Sequence, residues 1–415
     1  MRSRSLRLAA PLVVGAVVLT ACGSNKSESS GSSGGSTSAG AGASKTVIIG
    51  LSAPLSGKLS SLGAGMDHSG DLAVKQANSK QTIKGWTIKW QPEDDQGQAN
   101  IGQQVASKLA STKDVAGVVG ALNSSVSIQE QPVFSGASIV QVSPANTTVD
   151  LTQGPNWASG EKKRPFASYF RVATTDEVQG SFAANYAAQT LGKKKAAVVN
   201  DKKAYGAGLA TVFKRQFAKD GGTVVADETV GENDQDFSGV VTKLKNTNPD
   251  MVFYGGEYPA ASLFTSQMKQ AGLNVPLMGG DGIYDPTYIN VAKQAAEGDY
   301  CTSVGAPTES LDSARQFVTD YRAASYPEPF GAYGANTYDA TNVIIAVLAK
   351  VLPNKSAIDD SVRKDVIKAV QDGTITGATG KVSFDQYGDT SNKTLTVYKV
   401  TTGAWKAEKT GSFQG

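Results

Sequence analysis

Short apolar runs alternate with longer amphipathic segments along this chain, and no other feature of the sequence limits its fold as strongly. The apolar runs are Val47–Leu51, Trp86–Trp90, Val115–Val119, Ile139–Val142, Ala196–Val199, Val224–Val230, Met251–Tyr254 and Val275–Met278. The segments with helical periodicity between them include Ile101–Leu109, Phe182–Leu191, Leu209–Lys219, Phe237–Leu244 and Leu263–Ala271. Short strands separated by helices are typical of parallel sheets with helices on both faces. The pattern therefore predicts an α/β fold of the doubly wound type.

These units are too many for one sheet, so we predict two lobes, each with its own doubly wound parallel sheet. A new strand–helix series begins after Tyr169–Val172, which puts the first break near Arg171–Thr174. The predicted organisation is lobe 1 over residues 46–172, lobe 2 over 173–303, a return to lobe 1 over 304–385 and a return to lobe 2 over 386–415. Ligands of open α/β sheets bind beyond the carboxyl ends of the strands, so we expect a ligand cleft where the two sheets face each other.

The first 45 residues predict export and membrane attachment. Three arginines precede an uncharged run of about 14 residues, Leu8–Ala21, which is shorter than the roughly 20 residues of a membrane-spanning helix. The string Leu19–Cys22 resembles the lipobox of bacterial lipoproteins, in which the cysteine receives a diacylglyceryl group and becomes the mature N-terminus. We therefore expect residues 1–21 to be a signal peptide and residues 22–45 to be a flexible Gly/Ser-rich linker lipidated at Cys22. The alternative is an ordinary cleaved signal with an incidental cysteine.

The charge balance argues against a nucleic-acid partner. The chain has 40 Lys and Arg against 37 Asp and Glu, and residues 1–21 contain three of the arginines and no acidic residue. The remaining chain is formally neutral and offers no electrostatic footprint for nucleic acid or anionic lipid.

The residue types needed for much of enzymology are also scarce. The one histidine, His68, is too few for a Ser-His-Asp relay or a typical catalytic zinc site, and we interpret it as an ordinary helix residue. Lipidation of Cys22 would leave Cys301 as an inert buried thiol without a disulfide partner. No phosphate-binding GxxxxGK[ST] motif occurs, and the Gly-Ala-Gly strings at 63–65 and 206–208 lack the third glycine of a dinucleotide loop. We expect no cofactor and no metal.

Polar groups follow the predicted strands. The segments in question are Gly120–Ser125, Ser143–Thr148, Asn200–Gly206, Gly255–Pro259 and Gly279–Gly282. The first leads into a helix in which Ser127 and Glu130 have the spacing of a capping box, and a helix N-terminus with hydroxyl groups suits a carboxylate. Turn chemistry explains any one of these segments. Their recurrence at successive strand ends is what indicates a binding site.

The ordered set of segments resembles the leucine/isoleucine/valine-binding proteins, the type I solute-binding proteins of branched-chain amino acid ABC importers. The resemblance covers nearly all of residues 46–400, including Asp201–Leu209, the Phe253–Gly256 turn and Phe384–Asp389. No one of these motifs is decisive, but their order is fairly specific.

The resemblance implies a set of ligand contacts. It implies that Ser124 and Thr147 hold the α-carboxylate of the ligand. The Ala145 carbonyl, the Thr147 hydroxyl and Asp281 would hold its α-ammonium group, although the family usually has Glu at the position of Asp281. The resemblance also implies that two aromatic side chains wall the side-chain pocket, namely Tyr205 and Tyr333.

Three positions depart from the family pattern. Leu62 stands where an aromatic ring is frequent, Asn123 replaces a small or weakly polar residue, and Glu257 occupies the place of a second pocket tyrosine. Because an unpaired carboxylate beside an apolar side chain is costly, two alternatives remain open. Either Tyr258 lines the pocket and Glu257 faces water, or the ligand carries a polar or cationic group.

The sequence thus predicts a lipid-anchored, extracytoplasmic binding component of an ABC importer, without enzymatic activity. It would capture a free amino acid, of the branched-chain type or a more polar one, by closure of two hinged lobes. Its expected partners are the permease and ATPase subunits of the importer, and we expect a monomer. One alternative is an extracytoplasmic sensor that presents an amino acid or small amide to a signalling receptor. A second, a secreted α/β hydrolase, is disfavoured because no GxSxG elbow occurs and His68 is far in sequence from any candidate serine.

Overall fold

A computed structural model describes residues 45–413 of the chain. Its strands are β1 Lys45–Ala53, β2 Trp86–Asp94, β3 Val115–Val119, β4 Val140–Ser143, β5 Tyr169–Arg171, β6 Lys195–Asn200, β7 Thr223–Thr229, β8 Met251–Gly255, β9 Leu277–Gly279, β10 Tyr300–Val304, β11 Thr374–Gly377, β12 Gly380–Ser383, β13 Thr394–Thr401 and β14 Ala404–Ser412. Its α-helices are α1 Ser60–Ser79, α2 Ala99–Ser111, α3 Ser124–Gly136, α4 Asp150–Gln153, α5 Asp176–Asn185, α6 Ala204–Lys219, α7 Ser238–Asn246, α8 Tyr258–Gln270, α9 Pro286–Ala292, α10 Arg315–Ala323, α11 Gly334–Val351 and α12 Asp360–Gln371.

Local sequence explains several of these elements. Strands β3 and β8 are apolar along their whole length and buried at every residue, as expected of central parallel strands covered by helices on both faces. Helix α12 begins where the Asp359 side chain accepts a hydrogen bond from the backbone N–H of Val362 at 2.8 Å. Helix α9 begins in the same way at Asp285, with a proline at its first position.

The first sheet is entirely parallel and has the strand order β2-β1-β3-β4-β5. The chain leaves β1 toward β2 on one side and then crosses to β3, β4 and β5 on the other. Because the direction of winding reverses between β1 and β3, the strand ends diverge there and leave a crevice.

The second sheet has the order β14-β13-β10-β9-β8-β6-β7. Its strands β7, β6, β8, β9 and β10 are parallel, with a reversal of winding between β6 and β8. Strands β13 and β14 extend this sheet in antiparallel fashion beyond β10. The predicted doubly wound α/β class in two lobes is confirmed, and the antiparallel addition was not anticipated.

The last third of the chain contributes to both sheets. Helix α11 packs on α1 and on β3 and β4 of the first sheet, and α12 packs on α11 and the same two strands. Strands β11 and β12 pair only with each other, whereas β13 and β14 belong to the second sheet. The residue boundaries proposed for the lobes stay a prediction.

A buried ion pair ties the end of the first sheet to the segment that precedes β13. Arg171 at the end of β5 is fully buried, and its Nε donates to Asp389 Oδ1 at 2.6 Å. Its Nη1 also donates to the Thr148 carbonyl at 2.6 Å. Burial would raise the pKa of Asp389, but Arg171 outweighs it and holds the pKa below its ordinary value. Such a pair is strongly destabilising to break, because either partner alone would be a buried uncompensated charge.

The sequence patterns found the strands better than the helix starts. Helices α5, α6 and α8 begin at Asp176, Ala204 and Tyr258, about five residues before the apolar periodicity suggested. Their first turns carry the polar side chains of the strand ends, and those residues lack an apolar repeat. Strand β14 and helix α12 were not predicted.

The predicted capping box at Ser127 and Glu130 is wrong. Helix α3 begins at Ser124, and its N-terminus has no side-chain cap. Ser127 Oγ instead accepts a hydrogen bond from the Ala121 backbone N–H at 3.1 Å. Glu130 is completely buried and lies 2.5 Å from Ser52 Oγ on β1. Both side chains therefore join α3 to the sheet rather than closing the helix end.

Candidate functional site

The two points where the sheets reverse their winding face each other across an enclosed cavity, which we call the inner cavity. It is lined by Leu62, Leu122, Asn123, Ser124, Ala145, Thr147, Tyr205, Glu257, Asp281, Gly282 and Tyr333. All nine residues predicted for the ligand site are in this set. They come from strand ends and helix starts spread over more than 270 residues of sequence, and the fold brings them together. Their roles toward a ligand stay predictions.

Asp281 is the centre of a buried hydrogen-bond network on the side of the second sheet. Its Oδ1 accepts from Tyr205 OH at 2.9 Å and from Gln179 Nε2 at 3.0 Å. Its Oδ2 accepts from Tyr333 OH at 2.8 Å, and Tyr333 precedes α11, which packs on the first sheet. Burial raises the pKa of Asp281, and these three hydrogen bonds oppose the increase. The site thus holds a carboxylate ready to be compensated by a cationic group.

Close backbone contacts fix the position of Tyr205 in this network. A Cβ added to Gly206 would lie 2.3 Å from Asp201 Oδ1 and 2.4 Å from the Gly255 carbonyl, so the loops after β6 and β8 touch. A Cβ at Gly280 would lie 2.3 Å from Tyr205 OH. Gly206 belongs to one of the two Gly-Ala-Gly strings, which serves backbone packing here.

The side of the first sheet presents neutral groups. Ser124 is the first residue of α3, so it lies at the N-terminus of a helix of 13 residues, where backbone N–H groups are unpaired and the helix dipole favours an anion. Thr147 follows β4 and is 1% exposed, and its hydroxyl lies beside the carboxyl group of Asp176, whose raised pKa it opposes. Ala145 is also buried, and its backbone N–H donates to Ser143 Oγ at 3.2 Å. A helix N-terminus and a buried hydroxyl-bearing side chain on the same wall suit a ligand carboxylate.

Glu257 lines the cavity, and Tyr258 does not. Tyr258 OH instead donates to the Lys58 carbonyl at 2.5 Å and lies 3.1 Å from Ser61 Oγ, outside the cavity. Glu257 Oε1 accepts a hydrogen bond from Asn123 Nδ2, and its Oε2 lies 3.4 Å from Lys203 Nζ. Of the two alternatives left open by the sequence, the structure therefore selects Glu257 as the residue that faces the cavity, but its charge is paired.

Three further polar residues support the site and were missed in the sequence. Gln179 holds Asp281, and Lys203 compensates Glu257, as described above. Asp176, the first residue of α5, is buried, and the hydroxyl of Thr147 interacts with its carboxyl group. Burial raises the pKa of Asp176 to about 8, and the negative charge of Asp281 contributes to the increase. The missing signal was the true start of α5, which places Asp176 and Gln179 on successive turns facing the cleft.

The other residues named in the sequence analysis do not line the inner cavity. His68 belongs to α1 and stacks on Tyr326 with ring centroids 4.5 Å apart. Cys301 is a buried free thiol of β10, and burial raises its pKa well above the ordinary value. Over residues 45–413 no group of His, Cys, Asp and Glu side chains has the arrangement of a metal site. No helix in the same range is long and apolar enough to cross a membrane. Cys22 lies outside the described residues.

Two facing α/β sheets with a polar cavity between their strand ends define a two-lobed solute-binding protein. A family model described as periplasmic binding protein matches residues 46–404. The Leu/Ile/Val-binding protein BraC3 of Rhizobium johnstonii is 31% identical over 364 residues, covering 88% of this chain and 92% of that protein. The leucine-, isoleucine-, valine-, threonine- and alanine-binding protein of Pseudomonas aeruginosa is 28% identical and covers 86% of this chain and 90% of its own length.

A solved structure agrees with these relatives. The branched-chain amino acid transporter substrate-binding protein LivJ of Streptococcus pneumoniae, in complex with isoleucine, has a TM-score of 0.76 and 26% identity, and the match covers 89% of this chain and 99% of that one. The chain belongs to the periplasmic binding protein family, as a type I substrate-binding protein of an ABC transporter. It is therefore an extracytoplasmic binding protein and not an enzyme, and the predicted recognition is confirmed.

Proposed function

We propose that this protein captures one free α-amino acid in the inner cavity and delivers it to the permease and ATPase subunits of an ABC importer. The observation that carries this proposal is the opposition of charge across the cavity. A buried carboxylate, Asp281, lines one side of the cavity, and the helix N-terminus at Ser124 and the side chain of Thr147 line the other side. These are the complements of the ammonium and carboxylate ends of one zwitterion.

The physical chemistry of each contact supports the same assignment. An α-ammonium group beside Asp281 would replace the solvation that the carboxylate lost on burial, and would lower its raised pKa. An α-carboxylate at the start of α3 would accept hydrogen bonds from Ser124, Thr147 and the unpaired backbone N–H groups. Because the two ends of the ligand bind to opposite sides of the cleft, ligand capture favours the closed arrangement of the lobes.

The relatives suggest which amino acids to test first. The names of these relatives specify leucine, isoleucine and valine, and one name adds threonine and alanine. We propose that the ligand belongs to this class of free amino acids, with the contacts of the side chain still to be assigned. Isothermal titration calorimetry of the purified mature protein with all free amino acids tests the proposal. Absence of binding by every amino acid would refute it.

We also propose that a lipid on Cys22 is the sole membrane attachment. The proposal rests on the string Leu19–Cys22 and on the Gly/Ser-rich segment that follows it. Each buried methylene of an acyl chain contributes about 0.8 kcal/mol, and one chain gives only marginal binding. A diacylglyceryl group, with two chains, would hold the protein at the extracytoplasmic face of the membrane.

Replacement of this cysteine tests the attachment. We expect Cys22→Ala to move the protein from the membrane fraction to the soluble fraction, or to leave it as an unprocessed precursor, as measured by immunoblotting after fractionation. Cys301→Ala is the matched control and should leave the distribution unchanged, because Cys301 is buried in β10. Normal processing and retention of Cys22→Ala would contradict the proposal.

A further inference from the structure

A second and larger cavity adjoins the inner cavity at the open edge of the cleft, and we call it the outer chamber. It lies between the loops that follow β1 and β2 on one side and those that follow β6, β7 and β8 on the other, with walls that include Lys58, Gly97, Asp201, Lys203, Glu232 and Glu257. The outer chamber has a volume of about 300 Å³, compared with about 20 Å³ for the inner cavity. The former is in the range of small-molecule pockets, whereas the latter has room for about one water molecule and must widen to admit the ammonium and carboxylate ends of an amino acid. Space for a long side chain therefore exists on the outer side.

Asn123 and Glu257 form the partition between the two cavities. Glu257 lines both, and it accepts a hydrogen bond from Asn123 Nδ2. Asn123 is 4% exposed, and its Oδ1 accepts no hydrogen bond in the described part of the chain. That oxygen lies close to the wall of the outer chamber, since a Cβ on Gly97 of that wall would lie only 3.1 Å from it. The partition therefore offers one unused amide acceptor and one carboxylate to a donor that arrives from the inner cavity.

The charges of the outer chamber are unbalanced. Lys203 Nζ pairs with both Glu232 and Glu257, and the backbone N–H of Lys203 donates to Asp201 Oδ1 at 3.0 Å. Two carboxylates therefore share one ammonium group, and the buried carboxyl group of Asp201 lies beside them. Burial, together with the charge of Glu257, raises the pKa of Asp201 to about 7. Burial would lower the pKa of Lys203, but the surrounding carboxylates outweigh it and raise the pKa.

The other lysine of the chamber does not restore the balance. Lys58 Nζ donates to the neutral Asn233 side chain at 2.7 Å, and no ion pair of Lys58 occurs among the described residues. Asp201 is 5% exposed, so solvent compensates its charge poorly. A second cation at this wall would give Glu232 and Glu257 one positive charge each and would favour the ionised form of Asp201.

We propose that the outer chamber is a subsite for the cationic end of a long, unbranched amino-acid side chain, an ammonium or guanidinium group. The proposal rests on the capture of a free amino acid in the inner cavity. The side chain displaces the Asn123–Glu257 hydrogen bond. Its terminal N–H groups then donate to Glu257 and to the free Oδ1 of Asn123, next to Asp201. These contacts make an amino acid with a cationic side chain the preferred ligand.

Calorimetric titration of the purified mature protein with L-lysine, L-arginine, L-norleucine and L-leucine tests this subsite. Norleucine has the straight chain of lysine without its charge. We expect lysine or arginine to bind at least tenfold more tightly than norleucine. Glu257→Gln should lower the affinity for the cationic ligand at least tenfold and should change the affinity for norleucine less than threefold, because only the charged end of the side chain contacts Glu257. Glu228→Gln is the matched control. Glu228 lies on β7 and forms an ion pair with Lys243, and its replacement should change the affinity for neither ligand.

The alternative outcomes separate the subsite from the function on which it rests. Tighter binding of norleucine or leucine than of both cationic amino acids would overturn the subsite and leave amino-acid capture intact. An equal loss of both ligands in Glu257→Gln would also overturn it, since Glu257 would then act on closure of the cleft in general. Absence of binding by any amino acid would refute both proposals. Thermal melting of each variant without ligand shows that the fold is retained.

Discussion

The two walls of the inner cavity are chemically opposite. The wall on the first sheet consists of neutral groups: the hydroxyls of Ser124 and Thr147, the backbone at Ala145 and the apolar side chain of Leu62. The wall on the second sheet carries the carboxylate of Asp281 and the Glu257–Lys203 ion pair. Each wall alone suits only one end of a zwitterion. The difference teaches that the complete site exists only when both lobes face each other, so recognition and closure are the same event.

The walls also differ in how their buried carboxyl groups are satisfied. Behind the neutral wall, Glu130 Oε2 accepts from Gln141 Nε2 at 2.6 Å, and Ser52 Oγ lies 2.5 Å from Glu130 Oε1 and 3.0 Å from Asp95 Oδ2. One hydroxyl proton cannot serve both carboxylates, so a proton on Glu130 completes this chain of hydrogen bonds. Beside the charged wall, burial raises the pKa of Asp176 to about 8, and the Thr147 hydroxyl opposes the increase. Each wall is therefore backed by a buried carboxyl group with a raised pKa, and the walls differ because the second wall also carries Asp281, which lines the cavity itself.

Loss of the charged wall should have the largest effect. Asp281→Ala leaves the ligand ammonium buried without its counter-ion, which costs about 3–5 kcal/mol and corresponds to a loss of about two to three and a half decades in affinity. Calorimetry with the preferred amino acid measures the change. Asp227→Ala makes the same substitution at an exposed ion pair with Lys214 and should leave affinity unchanged. An affinity of Asp281→Ala within threefold of wild type would show that the walls do not divide the zwitterion as described.

The neutrality of the first wall should depend on pH. Burial, with Asp95 adding to it, raises the pKa of Glu130 from 4.5 to about 8 in the folded protein. The unfolded chain loses this proton near its ordinary pKa, so the contribution to stability is complete below about pH 4.5 and is lost as the pH rises through about 8. Over this interval, we expect Glu130 to reduce the free energy of unfolding by up to about 1.4 kcal/mol per pH unit.

Glu130→Gln should remove most of that pH dependence. Its amide N–H can donate to Ser52 Oγ and its carbonyl can accept from Gln141, so it reproduces the protonated carboxyl group. Urea denaturation between pH 5 and 8 measures the slope, and the variant should be more stable than wild type at pH 8. The same replacement at the solvent-accessible Glu228 provides the control. An unchanged slope in Glu130→Gln would mean that Glu130 is ionised throughout, and the first wall would then be charged like the second.

A smaller effect should come from the hydroxyl of the neutral wall. Thr147→Val keeps the shape of the side chain and removes its hydroxyl, and the melting temperature of the ligand-free protein measures what the interaction of that hydroxyl with Asp176 contributes to stability. Ligand binding should weaken by about tenfold, equivalent to about 1.4 kcal/mol for one hydrogen bond to a charged group. Thr147→Ser keeps the hydroxyl and should retain most of the affinity. Equal binding by Thr147→Val and wild type would remove this residue from the ligand contacts.

Much of the architecture could be read from local pattern. Strand β3 was predicted with its exact bounds, and the cores of β1, β6 and β8 were found, because central parallel strands are apolar on both faces. The polar strand ends indicated which edge of each sheet would form the site, because the carboxyl ends of parallel strands meet there. The nine individual site residues came from the resemblance to the leucine/isoleucine/valine-binding proteins, and all nine line the inner cavity. Helix starts were placed too late, because the first turns of α5, α6 and α8 face the cleft and lack apolar periodicity.

Local sequence pattern could not predict which groups the charged side chains contact. Spacing alone suggested that Glu130 caps a helix, whereas it lies against Ser52, 78 residues earlier in the chain. Sequence also left Glu257 and Tyr258 as equal candidates for the pocket, and the choice depended on Asn123, 134 residues away on the opposite sheet. Burial, proton affinity and hydrogen bonding of a side chain depend on the groups that packing brings around it. For this protein, local pattern was enough for the strands and their polar ends, and the tertiary structure decided which charges are paired, which are shared and which remain for a ligand.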